Sequence, residues 1–340
     1  MKQINTTEAV GHVLCHDITQ IIPGEKKDAI FRKGHIVTEE DIPVLLSIGK
    51  EHLFVWEKQE GMLHENEAAE ILYSLCKNEH MSPTPVKEGK IDLIAETEGL
   101  FKVDLDRLNR INALGEMMIA TRHSNFAVHK GDKLAGTRII PLVIDQAKMD
   151  RAKAVAWNEP LFQLLPFGHK KAAIVTTGSE VFYGRIKDAF GPVIRGKLSE
   201  FDVELLGQTI VNDEKEKIIN AIKEYIGQGA DLIVCTGGMS VDPDDSTPSA
   251  IKGTGARLIT YGAPVLPGAM FLLAYYGERN IPIMGLPGCV MYSKRTIFDL
   301  VLPRIMAGEI LTAEDLSVLG HGGLCLGCPE CTFPNCGFGK

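Results

Sequence analysis

The chain has 340 residues, 45% of them hydrophobic, and a formal net charge of −8. That composition supports a sizeable buried core in two or three domains and excludes general disorder. The acidic balance excludes a basic nucleic-acid footprint, although backbone N–H groups and a few local cations can still hold a small anion.

Met1-Lys2-Gln3-Ile4-Asn5 leads straight into mixed sequence rather than a basic-then-apolar leader. No apolar run approaches the roughly 20 residues that a membrane helix needs. The expectation is a cytoplasmic protein with neither a membrane nor a nucleic-acid partner. Residues 1–80 read as an α+β subdomain. Within it Phe31–Val55 predicts a short strand, a helix capped at Thr38, a turn at Ser47–Gly49 and another strand. Thr38 with Asp41 three residues later resembles a capping box with Asp in place of Glu. Met81–Gly89 reads as a linker at the start of a strand-rich second subdomain, residues 81–165. Its strands lie in Ile91–Leu100 and Phe126–Ile144, with a turn at Lys130-Gly131-Asp132. No chemistry is assigned to residues 1–165.

From 166 to 310 strands alternate with helices. Lys171–Thr177 is an apolar strand ending at Gly178, and a helical stretch follows from about Gly184 to Glu200. Val203–Val211 is strand-like. Glu214–Ile226 carries Ile218, Ile219, Ile222, Tyr225 and Ile226 at helical spacing. Next come the strand ending Leu232-Ile233-Val234-Cys235, a short helix from Pro248, the strand Arg257–Tyr261 and the apolar run Ala269–Tyr276. Ile281–Gly285 and a final helix from about Val290 to Met306 complete the series. This alternation predicts an α/β domain, a parallel sheet with helices on both faces. Residues 311–340 form a separate tail, first acidic, then rich in cysteine.

Three glycine breaks fall at strand ends: Thr177-Gly178-Ser179-Glu180, Thr236-Gly237-Gly238 and Leu286-Pro287-Gly288. Ligands of such sheets sit outside the carboxyl ends of the strands. Gly237 and Gly238 let a phosphate or a ring approach the backbone. Asp242, Asp244 and Asp245 follow, then Thr247 and Pro248 as N-cap and first-turn residues. Asp244 and Asp245 have two readings of equal weight: holding Mg²⁺ against phosphates, or favouring a helix N-terminus in solvent. Glu180 and Asp188 can bind a ring nitrogen or a metal, or serve a helix start. Asp213 reads first as an ordinary N-cap. Lys294 and Arg295 read as solvated charges, and Cys289 as a packed small residue.

The runs TTGSEVFYGRIKDAF (176–190), VNDEKEKI (211–218), DLIVCTGGMSVDPDDSTPSAI (231–251), VLPGAM (265–270) and IMGLPGCVMYSKRTIFDLVLPRIMAGE (283–309) occur in one order. As a set they resemble the molybdopterin-binding domain of molybdenum cofactor biosynthesis proteins, shared by molybdopterin adenylyltransferases and molybdotransferases. The resemblance implies a three-layer, doubly wound, mostly parallel α/β fold and a phosphate-bearing pterin dithiolene as ligand. It also implies that Gly178, Glu180, Asp213, Gly237, Gly238, Ser240, Asp245, Pro267, Gly268, Pro287 and Gly288 line the site. Thr177, Ser179, Asp188, Thr236, Asp242, Asp244, Thr247, Leu286 and Ser293 join them as ligand-binding candidates. Glu180, Asp213 and Asp245 are the catalytic candidates, with Mg²⁺ and ATP if the chemistry is adenylyl transfer. Ser179, Ala189-Phe190, Ala269 and Cys289-Val290 stand where the family has other residues, and the molybdotransferase Pro-Pro-x-Asp run is absent. The run Val241–Thr247 is also similar to one in the competence-damage-inducible family, which implies nucleotide-diphosphate hydrolysis as the alternative. A non-enzymatic cofactor carrier or redox sensor is the third reading. A homo-oligomer and a molybdoenzyme or cofactor-biosynthesis partner are implied by resemblance alone.

The chain has eight cysteines, four of them in the tail as Cys325-x2-Cys328-x2-Cys331-x4-Cys336. Four thiolates among Gly and Pro predict a metal site, either a [4Fe–4S] cluster or tetrahedral Zn²⁺. Reactive thiols or disulfides are the alternative.

Overall fold

The computed structural model describes residues 2–22, 26–55, 60–157, 159–240 and 245–340. Its contacts divide the chain into two units, one of Met1–Thr97, Lys102–Arg122 and His129–Leu164, the other of Glu98–Phe101, His123–Val128 and Leu165–Lys340.

In the first unit Lys2–Asn5 pairs antiparallel with His52–Val55, and Ile18–Ile22 forms a hairpin with Lys26–Phe31. Leu14, Ile18, Val37, Leu45 and Leu53 fill one small core there. The helix of this segment runs Asp41–Ser47 with Glu40, not the expected Thr38, at its N-cap; the Asp41 carboxylate accepts the Thr38 N–H at 2.8 Å, but no capping box forms. A four-stranded antiparallel sheet follows, ordered Met81–Pro83, Lys90–Ala95, Lys133–Ile139, Met117–Thr121. The helix Glu65–Cys76 buries Ala68, Ala69, Leu72 and Cys76.

The second unit is built on one six-stranded sheet. Its elements are β1 (Lys170–Thr177), α1 (Ser179–Phe182), α2 (Phe190–Leu198), β2 (Val203–Val211), α3 (Lys215–Gly227) and β3 (Leu232–Thr236). Then come α4 (Thr247–Gly253), β4 (Arg257–Tyr261), β5 (Leu272–Tyr276), β6 (Ile281–Leu286), α5 (Ile297–Met306) and α6 (Ala313–Ser317). The spatial order is β2-β1-β3-β6-β5-β4, parallel from β2 to β6, with β5 antiparallel to both neighbours. β3 and β6 are buried at every position because helices cover both faces, which is why they read as unbroken apolar runs. Alternate residues go to opposite layers. Ala172, Ile174, Leu232 and Val234 meet α2 and α5, whereas Ala173, Val175, Ile233 and Cys235 meet α3 and α4. The domain is thus three-layered, doubly wound and mostly parallel.

Two helix starts differ from the sequence expectation. Instead of one helix over 184–200, α1 is a single turn and α2 begins at Phe190, where Asp188 Oδ1 accepts the Phe190 and Gly191 N–H groups at 2.9 and 3.1 Å. Instead of starting at Val290, α5 starts at Ile297, because Thr296 and Asp299 close a capping box; Gly288–Met291 is a short 3-10 turn. Among the described residues no helix is long and apolar enough to cross a membrane.

Candidate functional site

β2 and β3 lie on opposite sides of β1, so the strand order reverses between β1 and β3, where open α/β sheets form a ligand crevice. Register sets the strand ends level: Thr177 pairs with Val211, Thr176 with Thr236, and Thr236 with Leu286. The three glycine breaks therefore leave the same edge of the sheet.

Gly237 has φ +85°, and a Cβ there would lie 2.1 Å from the Thr177 carbonyl oxygen. Only glycine lets the β1 and β3 turns touch in this way. Gly238, at φ +51°, would place a Cβ 3.0 Å from Thr247 Oγ1 and 3.1 Å from Thr177 Oγ1, with Asp245 Oδ1 at 3.7 Å. The Thr177 and Thr247 hydroxyls are hydrogen-bonded to each other at 3.0 Å, and Thr236 donates to Thr176 at 3.1 Å. The Glu180 carboxylate folds back over Gly178, 3.1 Å from where a Cβ would stand. Asp213 is not the N-cap that its position suggested: Glu214 holds that place, and Asp213 Oδ2 accepts the Ser179 N–H at 2.8 Å. Ser246 donates its hydroxyl to the Asp213 carbonyl, tying the start of α4 to the same corner. The turn residues Thr177, Gly178, Ser179, Glu180, Asp213, Thr236, Gly237, Gly238, Asp245 and Thr247 thus form one contiguous cluster. Asp242 and Asp244 lie outside the described residues.

Against this geometry, residues 173–307 match the model of a probable molybdopterin binding domain. That stretch, less than half of the chain, is similar to the molybdopterin-binding domain family. Residues 3–57 match a domain of unknown function. Among relatives, a CinA-like protein of Mycobacterium avium is 39% identical over 110 residues, 32% of this chain and 25% of that protein. The chain thus spans about a quarter of the length of the CinA-like relative. A molybdopterin molybdenumtransferase of Staphylococcus epidermidis is 23% identical over 331 residues, 91% of this chain and 74% of that one. The crystal structure of the molybdopterin biosynthesis enzyme MoaB from Thermus thermophilus aligns with TM-score 0.34 and 22% identity, over 41% of this chain and 98% of that one.

The other candidates within the molybdopterin-binding domain are placed as follows. Ser240 is exposed, and its carbonyl and that of Met239 accept the Tyr261 hydroxyl at 3.2 and 3.0 Å. Burial, then the nearby Asp245, pushes the Tyr261 phenol up, so it stays a donor. Asp188 is occupied by the start of α2 and by Gln208 Nε2, which donates to its Oδ2 at 2.6 Å and to Thr176 Oγ1 at 2.8 Å. Leu286, Pro287 and Gly288 leave β6 beside β3. Burial raises the Cys289 thiol, in keeping with a packed side chain rather than a nucleophile. Pro267 accepts the Ile297 N–H at 3.2 Å, and Gly268, at φ +129°, would drive a Cβ to 2.5 Å from Ile297 Cγ2. This turn therefore packs on the start of α5, and Pro267 and Ser293 line a cavity shared with the tail.

Sequence reasoning missed the polar groups that hold the site in place. Lys197 Nζ lies 2.5 Å from Asp299 Oδ1 and donates to the Lys294 carbonyl at 3.0 Å; Arg295 reaches the same Oδ1 at 2.9 Å. Lys197 and Asp299 are both buried, so this triad fixes the loop 293–296. Thr296-x-x-Asp299 was a legible capping signal. Nothing local in the sequence marked Gln208 or Tyr261.

The metal expectations need correction. Among the described residues no group of three or more His, Cys, Asp or Glu stands close enough to hold a metal ion. Glu180, Asp213 and Asp245 form no ready Mg²⁺ cage, because Asp213 serves the Ser179 N–H and Glu180 lies over Gly178. Cys325, Cys328, Cys331 and Cys336 line one cavity, but they do not converge into a tetrahedral zinc site. All eight cysteines are free thiols, so the disulfide alternative is not realised either.

Proposed function

We propose that the second unit binds molybdopterin or its adenylylated form at the β1/β3 crevice, as a step of molybdenum cofactor biosynthesis or maturation. The observation that carries this reading is the contact of Gly237 with the Thr177 carbonyl, which leaves a side-chain-free floor at the strand edge, flanked by Glu180, Asp213 and Asp245. On that floor the pterin's phosphate meets main chain, and the carboxylates accept from the amino and ring N–H groups of the pterin. Leu286-Pro287-Gly288 walls the crevice on the β6 side. Asp213 acts by orienting the 178–180 turn, and Asp245 by its place beside Gly238.

If the step is adenylyl or molybdate transfer, Mg²⁺ would neutralise phosphate charge. It needs only one or two carboxylates besides phosphate oxygens, which Asp245 or Glu180 would supply. Calorimetric titration with molybdopterin tests the reading. Asp213→Asn and Asp245→Asn are expected to weaken binding at least about tenfold, or ~1.4 kcal/mol, with unchanged melting temperature. Unaltered affinity in both variants rejects the assigned crevice. The 39% identity to a CinA-like protein supports one competing reading, cleavage of a nucleotide diphosphate. Release of a mononucleotide from a diphosphate conjugate, without pterin binding, would establish it instead.

A further inference from the structure

The four-stranded sheet of the first unit buries only one of its faces. Ile91, Leu93, Ile119 and Thr137 point to the buried side, and the helix Glu65–Cys76 packs against two of these strands. Their sequence neighbours point the other way, because successive strand residues alternate. Register places Lys90 opposite Arg138 and Asp92 opposite Gly136, with Met118 and Ala120 on the next strand. Gly136 and Ala120 add little bulk, and this face holds an open hollow of about 490 Å³ lined in part by Lys90, Asp92, Arg122, Lys133 and Arg138. A second hollow of about 340 Å³ shares Lys90, Asp92 and Arg138 with it and adds Lys87 and Glu88.

The charge here runs against that of the chain, which is −8 overall. Lys90 and Arg138 stand directly opposite each other, and like charges in that position destabilise a sheet. Asp92 Oδ2 lies 2.6 Å from Lys133 Nζ and 3.4 Å from Lys90 Nζ, and Arg122 reaches Asp132 at 3.0 Å. Among the described residues no carboxylate comes within ion-pair distance of Arg138 or Lys87. The five cations thus outnumber Glu88, Asp92 and Asp132, which suits an anion. Asp92 supplies the second observation. Its Oδ1 is buried, and no donor among the described residues reaches it. A Cβ on Gly136 would stand 2.9 Å from that oxygen and 3.6 Å from Lys133 Cε, so the lysine chain lies over the glycine beside the oxygen. The Lys133 side chain is 50% exposed, so it is free to turn toward a bound anion and uncover Oδ1. A carboxylate oxygen without a donor is costly, and an O–H or N–H of the ligand removes that cost.

We propose that this face binds a small organic phosphate, with Arg138, Lys87 and Lys90 on the phosphate and a hydroxyl or amino group of the ligand donating to Asp92. The site lies wholly in the first unit and stands whether or not the pterin reading holds. Phosphorus NMR titration of the full chain with ribose 5-phosphate should give a Kd of about 1 mM or below, at least about tenfold tighter than inorganic phosphate because of the donated hydroxyl. Arg138→Gln and Lys90→Gln should each weaken that binding at least about tenfold with unchanged melting temperature. Lys223→Gln, which removes the same charge from the second unit, should leave it unaltered. Asp92→Ala should bring the sugar phosphate and inorganic phosphate to equal affinity. Absence of binding to the wild-type chain overturns the proposal, as does an equal loss in the Arg138→Gln and Lys223→Gln proteins. Equal wild-type affinity for the two phosphates would reveal an adventitious ion only. Sedimentation with phosphatidylglycerol vesicles, without binding of the soluble sugar phosphate, would assign the face to a lipid surface and overturn the proposal as well.

Discussion

Gly237 and Gly196 separate two reasons for a glycine. At Gly237 both the positive φ and the 2.1 Å approach to the Thr177 carbonyl forbid a side chain. Gly237→Ala is expected to cost at least about 2 kcal/mol in urea unfolding and to abolish pterin binding. Gly196 lies in α2 with nothing within 4 Å of a Cβ. Gly196→Ala should be neutral or stabilise by up to about 1 kcal/mol, and an equal loss in both variants would contradict the assignment. Asp299 is different again, because its removal leaves Lys197 buried without its carboxylate. Asp299→Ala should cost about 3–5 kcal/mol, and adding Lys197→Met should recover a large part of it. No recovery in the double variant would show that the helix cap, not the charge pair, dominates.

At the scale of elements, α6 is held by charge as much as by packing. Arg304, buried in α5, reaches Glu309 at 2.6 Å and Asp315 of α6 at 2.8 Å. Partial burial alone would raise the Asp315 carboxyl; the hydrogen bonds from Thr312 and Arg304 outweigh it and hold the group down at about 2. A depressed carboxylate stabilises the fold above its unfolded pKa, and the benefit is lost as pH falls through the folded value. The wild-type chain should therefore lose stability between about pH 4 and pH 2 more steeply than Asp315→Asn, measured by thermal melting at each pH. Parallel pH profiles would contradict the role given to Asp315. The elements themselves were legible wherever one signal dominated. β1, β3 and β6 are continuous apolar runs, and α3 has clean helical spacing, so both were read from sequence. α2 and α5 began later than expected, because Asp188 and the Thr296–Asp299 box set their first turns, and an apolar period does not report its own cap.

For the molecule as a whole, the sequence marked one edge of the sheet, because glycine turns at strand ends recur in chain order and topology alone brings them together. It did not locate the groups that brace that edge. Gln208 acts on Thr176 across 32 positions and Lys197 on Asp299 across 102, and such pairings have no local signature. The tail gave the reverse result, since the cysteine spacing was plain but the cavity around it was not. The most direct test of the central claim is the pterin content of the full chain, purified without oxygen and assayed after oxidation to a fluorescent product. Stoichiometric pterin, or its uptake when molybdopterin is offered, is the expected result. A chain that carries none and takes up none would contradict the account and leave nucleotide-diphosphate cleavage as the function to pursue.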